Sequence, residues 1–177
     1  GAIANYGILN VVGSAFTSNS AAAAGGAIYN AGMLDITNSS FYYNVTAADG
    51  GAIYNDVTGV ATIRNTVIAG NTAGETGAGI DNRGRVLLEN SQVDGNRLNS
   101  SVGGAGIYNY YGANAVIRNS AIIRNLLIPI RTGIGGAGIL NYGNLDVGSS
   151  TIAGNYVTVP SEDGLLKGGG INVQAGF

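Results

Sequence analysis

A repeat of 25 to 32 residues, short apolar segments, and turns rich in glycine and asparagine together predict an all-β fold, a right-handed parallel β-helix. Within the segments apolar residues recur at every second position, as at Leu34 and Ile36, which is the pattern of a strand. The chain has 31 glycines and only 10% charged residues, so it lacks the helix-forming runs that a helical solenoid needs. Connections between parallel strands of one sheet are overwhelmingly right-handed, so the β-helix is expected to be right-handed.

Three apolar marks define each repeat, and they predict three short strands per coil. The opening isoleucines are Ile3, Ile28, Ile53, Ile80, Ile107, Ile139 and Ile171. The second mark is Val11, Ile36, Ile63, Leu88, Ile117 or Val147, and the third is Phe16, Phe41, Ile68, Val93, Ile122 or Ile152. The second and third marks are always five residues apart, which chance does not produce. These columns are expected to face the core of about six full coils and a partial seventh.

The whole chain, 1–177, is predicted to form a single β-helix domain. The coils are expected at approximately 1–24, 25–49, 50–77, 78–103, 104–135, 136–168 and, in part, 169–177. Extra residues collect between the last mark of a coil and the next opening isoleucine, and they increase toward the C-terminus. Insertions confined to one corner often mark a working surface. Because the sequence starts inside the repeat pattern, the chain is expected to be part of a longer product.

Asparagines recur at fixed places in the repeat and are predicted to stack as hydrogen-bonded ladders inside the corners. Asparagine also tolerates the left-handed backbone of a sharp corner. The first ladder is Asn5, Asn30, Asn55, Asn82, Asn109 and Asn141, and the second is Asn19, Asn44, Asn71, Asn96, Asn125 and Asn155. A third is expected at Asn38, Asn65, Asn90 and Asn119, with Ser149 in the last coil. Asn38, Asn44 and Asn99 match the N-x-Ser/Thr pattern, and the first two are expected to point inward, where glycosylation is sterically disfavoured.

The motif GGAI at 25–28 and 50–53, paired with FxxN at 16–19 and 41–44, carries a family resemblance. Together they resemble the repeats of chlamydial-type polymorphic outer membrane proteins and of related bacterial adhesin and autotransporter passenger regions. Relaxed GGAGI forms occur at 103–107 and 135–139. The resemblance implies a right-handed β-helix at the bacterial cell surface or outside the cell, with a structural or adhesive function. Later copies replace the phenylalanine with Ile or Val.

Composition excludes several classes of function. The net charge is −2, with no basic cluster for nucleic-acid phosphates. The chain has no cysteine and no histidine, so it has no disulfide and lacks the commonest metal ligand and general base. No apolar run approaches the roughly 18 residues of a transmembrane segment. Neither a cofactor nor a metal site is predicted, and the GGxG segments lack the aspartate of calcium-binding nonapeptides.

The competing class is a carbohydrate-binding or carbohydrate-active protein, such as a polysaccharide lyase or glycosidase. Glycosidases need two carboxylates about 5 to 9.5 Å apart on one face, and Asp56 and Asp81 on adjacent coils are the nearest such pair, with Arg83 and Arg85 close by. Asp35 and Asp146 lie four coils apart. No catalytic residue is assigned, and an enzyme is not predicted.

Two sets of outward residues favour structural roles in this interpretation. Tyr29, Tyr54 and Tyr108 should form an exposed row that Asp81 interrupts. The tyrosine rings could stack on sugar rings, but stacking between coils explains the row better. Arg64, Glu89 and Arg118 place opposite charges on consecutive coils and predict a surface ion-pair ladder.

Two segments are candidate interfaces. Leu126, Leu127, Ile128 and Ile130 lie at the enlarged corner and should either fold back as a lid or contact a partner. Gly170, Ile171 and Val173 lie in the last strand, whose open edge predicts end-to-end self-association into a filament. The alternative is that the ends are only where a longer β-helix was cut. A host or cell-surface glycan is a second candidate partner.

Overall fold

A computed structural model describes residues 1–129, 135–158 and 168–174. All regular secondary structure among them is β, in twenty-five strands of two to five residues. No described residue belongs to a helix long and apolar enough to cross a membrane. The strands follow one another around six coils, and a seventh begins with the last strand.

Each full coil contains four strands. Coils one and two comprise β1 (Ile3–Asn5), β2 (Ile8–Val12), β3 (Ala15–Thr17), β4 (Ser20–Ala21), β5 (Ile28–Asn30), β6 (Met33–Thr37), β7 (Ser40–Tyr42) and β8 (Val45–Thr46). Coils three and four comprise β9 (Ile53–Asn55), β10 (Val60–Arg64), β11 (Val67–Ala69), β12 (Thr72–Ala73), β13 (Ile80–Asn82), β14 (Arg85–Glu89), β15 (Gln92–Asp94) and β16 (Arg97–Leu98). Coils five to seven comprise β17 (Ile107–Asn109), β18 (Asn114–Arg118), β19 (Ala121–Ile123), β20 (Leu126–Leu127), β21 (Ile139–Asn141), β22 (Asn144–Gly148), β23 (Thr151–Ala153), β24 (Tyr156–Val157) and β25 (Ile171–Val173).

Equivalent strands of successive coils pair in parallel and form four sheets that run the length of the solenoid. The first sheet has seven strands, from β1 to β25, and each of the other three has six. Pairing keeps the repeat in register: Ile80 lies between Ile53 and Ile107, and Leu88 lies opposite Ile63 and Ile117. The predicted all-β parallel β-helix is therefore confirmed.

The fourth strand of each coil corrects the expected number of three. It is only two residues long, as at Thr72–Ala73, and it pairs with the same segment in the neighbouring coils. Two residues are too few to show an alternating pattern, so the sequence gives no signal of this strand. The inward residue of this strand belongs to a second, smaller hydrophobic core, in which Leu98 and Leu127 pack with Ala78, Ala105 and Ala137.

The main core contains the predicted apolar columns. The opening isoleucines of coils two to six are no more than 1% exposed, and the second and third columns are equally buried in the central coils. Phe16 and Phe41 stack with their ring centroids 4.8 Å apart and their planes 2° from parallel. The facing assigned from the two-residue alternation is thus confirmed.

The GG pair of the GGAI motif in the second and third coils has a steric origin. Gly25 has a φ of +65°, a region that residues with a side chain rarely adopt. A Cβ atom on Gly26 would lie 2.0 Å from the carbonyl oxygen of Gly51 in the next coil. Neighbouring coils therefore approach each other through bare backbone at Gly26, where a side chain would collide with the next coil.

The two candidate interface segments differ in their burial. Leu127 is fully buried in the second core, which corrects the expectation that it leaves the coil as a lid or partner contact. Leu126 and Ile128 are half-buried, and Ile130 lies outside the described residues. In the last strand Ile171 and Val173 are exposed and Gly170 is partly exposed. A partner for either segment stays a prediction.

Candidate functional site: ladders and a buried carboxylate cluster

The first asparagine ladder runs along the corner that follows the first sheet. Each side-chain Nδ2 donates to the Oδ1 of the asparagine one coil further on. The donor–acceptor distances are 2.7 Å for Asn5–Asn30, 2.7 Å for Asn30–Asn55, 2.8 Å for Asn55–Asn82, 2.7 Å for Asn82–Asn109 and 2.7 Å for Asn109–Asn141. The Oδ1 atom also accepts a backbone N–H two residues later, as Gly84 donates to Asn82. This predicted ladder is confirmed.

The second ladder follows the third sheet and is doubly bonded. The Nδ2–Oδ1 distances are 2.9 Å for Asn19–Asn44, 2.9 Å for Asn44–Asn71, 2.9 Å for Asn71–Asn96, 3.0 Å for Asn96–Asn125 and 2.9 Å for Asn125–Asn155. The backbone N–H of each donor residue, for example Asn71, points to the same Oδ1 at 2.9 Å. The side chain also donates to a carbonyl of the preceding coil, as Asn96 does to Ile68. These corners are tied to both neighbouring coils.

The third proposed ladder is wrong as an inward ladder. Asn38, Asn65, Asn90 and Asn119 have φ values between +49° and +52°, as a sharp corner requires, but their side chains are exposed. Asparagine is present at these corners because of its backbone preference. Asn38 is therefore exposed, contrary to its expected inward direction, whereas Asn44 is fully buried.

Hydroxyl groups form the ladder at this corner instead. The residue after each corner asparagine is Ser39, Thr66, Ser91 or Ser120, and Ser150 follows the corner residue Ser149 in the sixth coil. Each hydroxyl donates to a carbonyl two residues earlier and accepts the backbone N–H of the preceding coil, at 3.1 Å between Thr66 and Ser91. A Ser or Thr after every corner residue is visible in the sequence and is the signal that could have identified this ladder.

The tyrosine row of the first sheet is more buried than predicted. Tyr29 and Tyr54 stack with ring centroids 5.4 Å apart and an interplanar angle of 11°. Tyr54 and Tyr108 are 9% and 5% exposed, which corrects the expectation of an exposed outward row. The guanidinium of Arg83 covers Tyr54, with its carbon 4.9 Å from the ring centroid. Stacked faces and a covering arginine leave little aromatic surface for a sugar.

A cluster of charged and polar groups lies beside this stack, where Asp81 replaces the tyrosine. Asp81 is fully buried, and its Oδ1 accepts from Arg83 Nε at 3.1 Å. Arg83 also donates to Asp49 at 2.6 Å. The Thr76 hydroxyl contacts Asp49 Oδ1 at 2.6 Å and is hydrogen-bonded to Asp81 Oδ2.

The Thr76 hydroxyl has only one proton to share between two carboxylates. When Asp81 is protonated, it can donate to Thr76 while Thr76 donates to Asp49, so every bond has a donor. Burial raises the pKa of Asp81 from 3.8 to about 6, against the lowering effects of Thr76 and Arg83. Burial works to lower the pKa of Arg83, but the charge of Asp81, its hydrogen bond with Arg83 and the nearby Tyr54 and Asp49 together outweigh burial, and the pKa rises.

We expect the Asp81 carboxyl to make the fold less stable as pH rises from about 4 to about 6. In this interval the folded state holds the proton and the unfolded state has released it, so stability falls with pH and then levels off. The shift corresponds to at most about 3 kcal/mol. Denaturant unfolding at pH 4 and pH 7 measures it as the difference between the parent and Asp81→Asn. An identical pH dependence in the two proteins would contradict a titrating Asp81.

The proposed carboxylate pair does not form an open cleft. Asp81 is sealed inside the cluster, and Asp56 accepts a hydrogen bond from the Tyr29 hydroxyl. That bond, followed by burial, raises the pKa of Tyr29 to about 12, and burial raises the pKa of Tyr54 to about 12. A tyrosine base must lose its proton near neutral pH, so these two are poorly suited to proton abstraction.

Asp49 and Thr76 were missed from the sequence. Both precede the glycines that open a coil, and they pair through isolated parallel bridges in the series Ala24, Asp49, Thr76, Gly103. Aligning the repeats on their opening isoleucines places the polar residues Asp49 and Thr76 at this position, four residues before Ile53 and Ile80, and the second of them directly precedes the coil in which Asp81 replaces tyrosine. This alignment is the signal that could have found the cluster. Among the described residues no group of three or more His, Cys, Asp or Glu side chains could hold a metal ion.

The predicted charge ladder is present in part. Arg64 Nε pairs with Glu89 at 2.9 Å. Arg118 pairs with Asp146 of the following coil, and no Glu89–Arg118 bridge is formed within the described part of the chain. The Arg124–Asp94 pair on the third sheet was not anticipated.

Comparison with known proteins agrees with this architecture. The model of a family described as right-handed β-helix region matches residues 3–176. Searches of curated proteins and of solved structures returned no match. The specific likeness to chlamydial-type surface proteins stays a prediction. Matched over nearly its whole length, the chain belongs to the right-handed β-helix family.

Proposed function

We propose that this chain is a rigid structural or adhesive segment of a protein at the bacterial cell surface or outside the cell. The observation that carries the proposal is the continuous set of coil-to-coil ladders. No described buried side-chain nitrogen or oxygen lacks a hydrogen-bond partner. An interior satisfied in this way resists local opening, as a stalk or a display scaffold requires.

The carbohydrate-active alternative has less support from the geometry. β-Helices occur in enzymes and in non-enzymes, so the fold alone does not choose between them. The nearest carboxylate candidates are Asp56 and Asp81, and each already accepts a hydrogen bond from a hydroxyl of the preceding coil. The faces of Tyr29 and Tyr54 are turned toward each other, so a sugar ring could reach only their edges. A glycan partner would therefore need another surface.

Labelling of intact source cells with an antibody against this chain tests the location. Surface labelling without permeabilisation is the expected result, together with weaker cell attachment when the gene is deleted. Labelling only after permeabilisation would overturn the proposal.

We further propose that the last strand pairs end to end with the first strand of a second copy. No described strand pairs with the outer edge of β25, and its Ile171 has the same register relative to Ile139 as every other opening isoleucine. Unpaired edges of this kind recruit further strands. The expected result is concentration-dependent association in sedimentation velocity, and Val173→Lys should abolish it because a charge would enter the joint.

Val57→Lys is the matched control. Val57 and Val173 are both 66% exposed, but Val57 lies in a turn of the third coil. The control should associate as the parent does. The proposed pairing of the last and first strands would be excluded if the parent stayed monomeric at all concentrations. It would also be excluded if Val173→Lys and Val57→Lys lost association equally.

A further inference from the structure

Seven of the ten tyrosines are linked along one side of the solenoid, by ring contacts and through Arg83. In the first three coils Tyr29 contacts both Tyr6 and Tyr54, with ring centroids 5.7 and 5.4 Å apart. Arg83 connects Tyr54 to Tyr110, 5.1 Å from the second ring. The remaining members are Tyr108, Tyr111 and Tyr142. The structural function proposed above does not depend on this tyrosine stack.

Tyr111 and Tyr142 form its closest pair. Their ring centroids are 4.5 Å apart and their planes are inclined by 38°. The other tyrosine contacts of the described residues measure 5.4 Å or more. Tyr111 is 42% exposed and Tyr142 is partly exposed, so small oxidants in solution can reach the pair. The two residues belong to consecutive coils, after Asn109 and Asn141 respectively.

Oxidation of two adjacent phenols has a defined outcome. Each phenol loses one electron and its hydroxyl proton and becomes a tyrosyl radical. Two radicals join through a carbon–carbon bond between ring positions ortho to the oxygens. The two ortho hydrogens then move to the oxygens, which restores both aromatic rings and both hydroxyls. The two electrons and two protons pass to hydrogen peroxide, which gives two molecules of water.

We propose that Tyr111 and Tyr142 are a site of oxidative modification, at which a peroxide-driven one-electron oxidant forms a dityrosine cross-link between coils five and six. The chain has no cysteine, so it cannot form a disulfide as a covalent cross-link. The neighbouring rings of Tyr108 and Tyr110 lie 6.0 Å from each other, and Tyr108 lies 6.0 Å from Tyr142. A radical formed anywhere in this group can therefore move to the closest pair and be trapped there by coupling.

The cross-link would constrain one of the two longest insertions in the chain. It closes the backbone between residues 111 and 142, a stretch that includes the enlarged corner after Asn125. A covalent loop restricts the unfolded chain and so stabilises the fold, as a disulfide does. The melting temperature of the cross-linked monomer should rise by several degrees.

Photochemical oxidation of dilute protein with a ruthenium complex and persulfate tests the proposal. The expected product is a monomer lighter by two hydrogen atoms, with the blue fluorescence of dityrosine. Tryptic fragments 98–118 and 132–167 should be joined, and fragmentation should place the bond at Tyr111 and Tyr142. Dilution keeps coupling between molecules slow.

Tyr111→Phe removes the hydroxyl without which no tyrosyl radical forms while it keeps the ring, and it should lose at least nine-tenths of the intramolecular product. Tyr43→Phe is the control, because Tyr43 is 64% exposed and lies outside the stack. It should form the product as the parent does. The proposal is overturned if the bond maps to Tyr110 or Tyr108, if only intermolecular dimers form, or if Tyr111→Phe retains the product.

Discussion

Replacement of Leu88 by aspartate is expected to lower the free energy of unfolding by about 4 kcal/mol or more. Leu88 is fully buried in the main core, where its neighbours in the second sheet are Ile63 and Ile117. The new carboxyl would find no hydrogen-bond donor there and would have to take up a proton or remain an unpaired charge. Denaturant unfolding followed by circular dichroism gives the change.

Leu87→Asp is the matched control, since it is the same substitution one residue earlier on the same strand. Leu87 points away from the core and is partly exposed. Its replacement should change the free energy of unfolding by less than about 1 kcal/mol. Equal losses for the two variants would mean that the assigned facing of the second sheet is wrong.

Replacement of Asn82 by alanine is expected to cost about 3 to 5 kcal/mol, because it breaks the first ladder in the middle. The Asn82 side chain donates to Asn109 at 2.7 Å and to the carbonyl of Asn114 at 3.0 Å. It also accepts from Asn55 at 2.8 Å and from the Gly84 N–H at 3.2 Å. Alanine would leave these buried partners unsatisfied. Denaturant unfolding measures the loss.

Asn10→Ala provides the comparison for this prediction. Asn10 has the same side chain but lies exposed on the outer face of β2. Its removal should change stability by less than about 0.5 kcal/mol. If Asn82→Ala lowered the free energy of unfolding as little as Asn10→Ala, the hydrogen bonds of the ladder would stabilise the fold no more than hydrogen bonds from water to the same amides.

The sequence predicts those features of this fold that recur in every coil. Ile28 and Asn30 could be placed correctly because their equivalents repeat and because one period fixes both their facing and their register. The GG pair could likewise be recognised as a corner. Features that depend on one coil alone had no such signal.

The buried cluster is an example of what the repeat does not specify. Thr76 and Asp81 approach each other because one coil departs from the tyrosine pattern, and Asp49 reaches them from the preceding coil. The burial of Tyr54 likewise depends on Arg83, two residues beyond the departing position. The sequence indicates only that Leu127 lies at the enlarged corner, because the two-residue strand that buries it has no pattern of its own.

Both asparagine ladders run in one direction only. Every amide-to-amide bond in them points from a coil toward the next one along the chain. The backbone bonds between coils point both ways, as Ala2 donates forward to Ala27 and Ala31 donates back to Asn5. Their dipoles largely cancel, whereas those of the side-chain amides add. The solenoid therefore has an electrical axis like that of an α-helix, negative toward its first coil and positive toward its last.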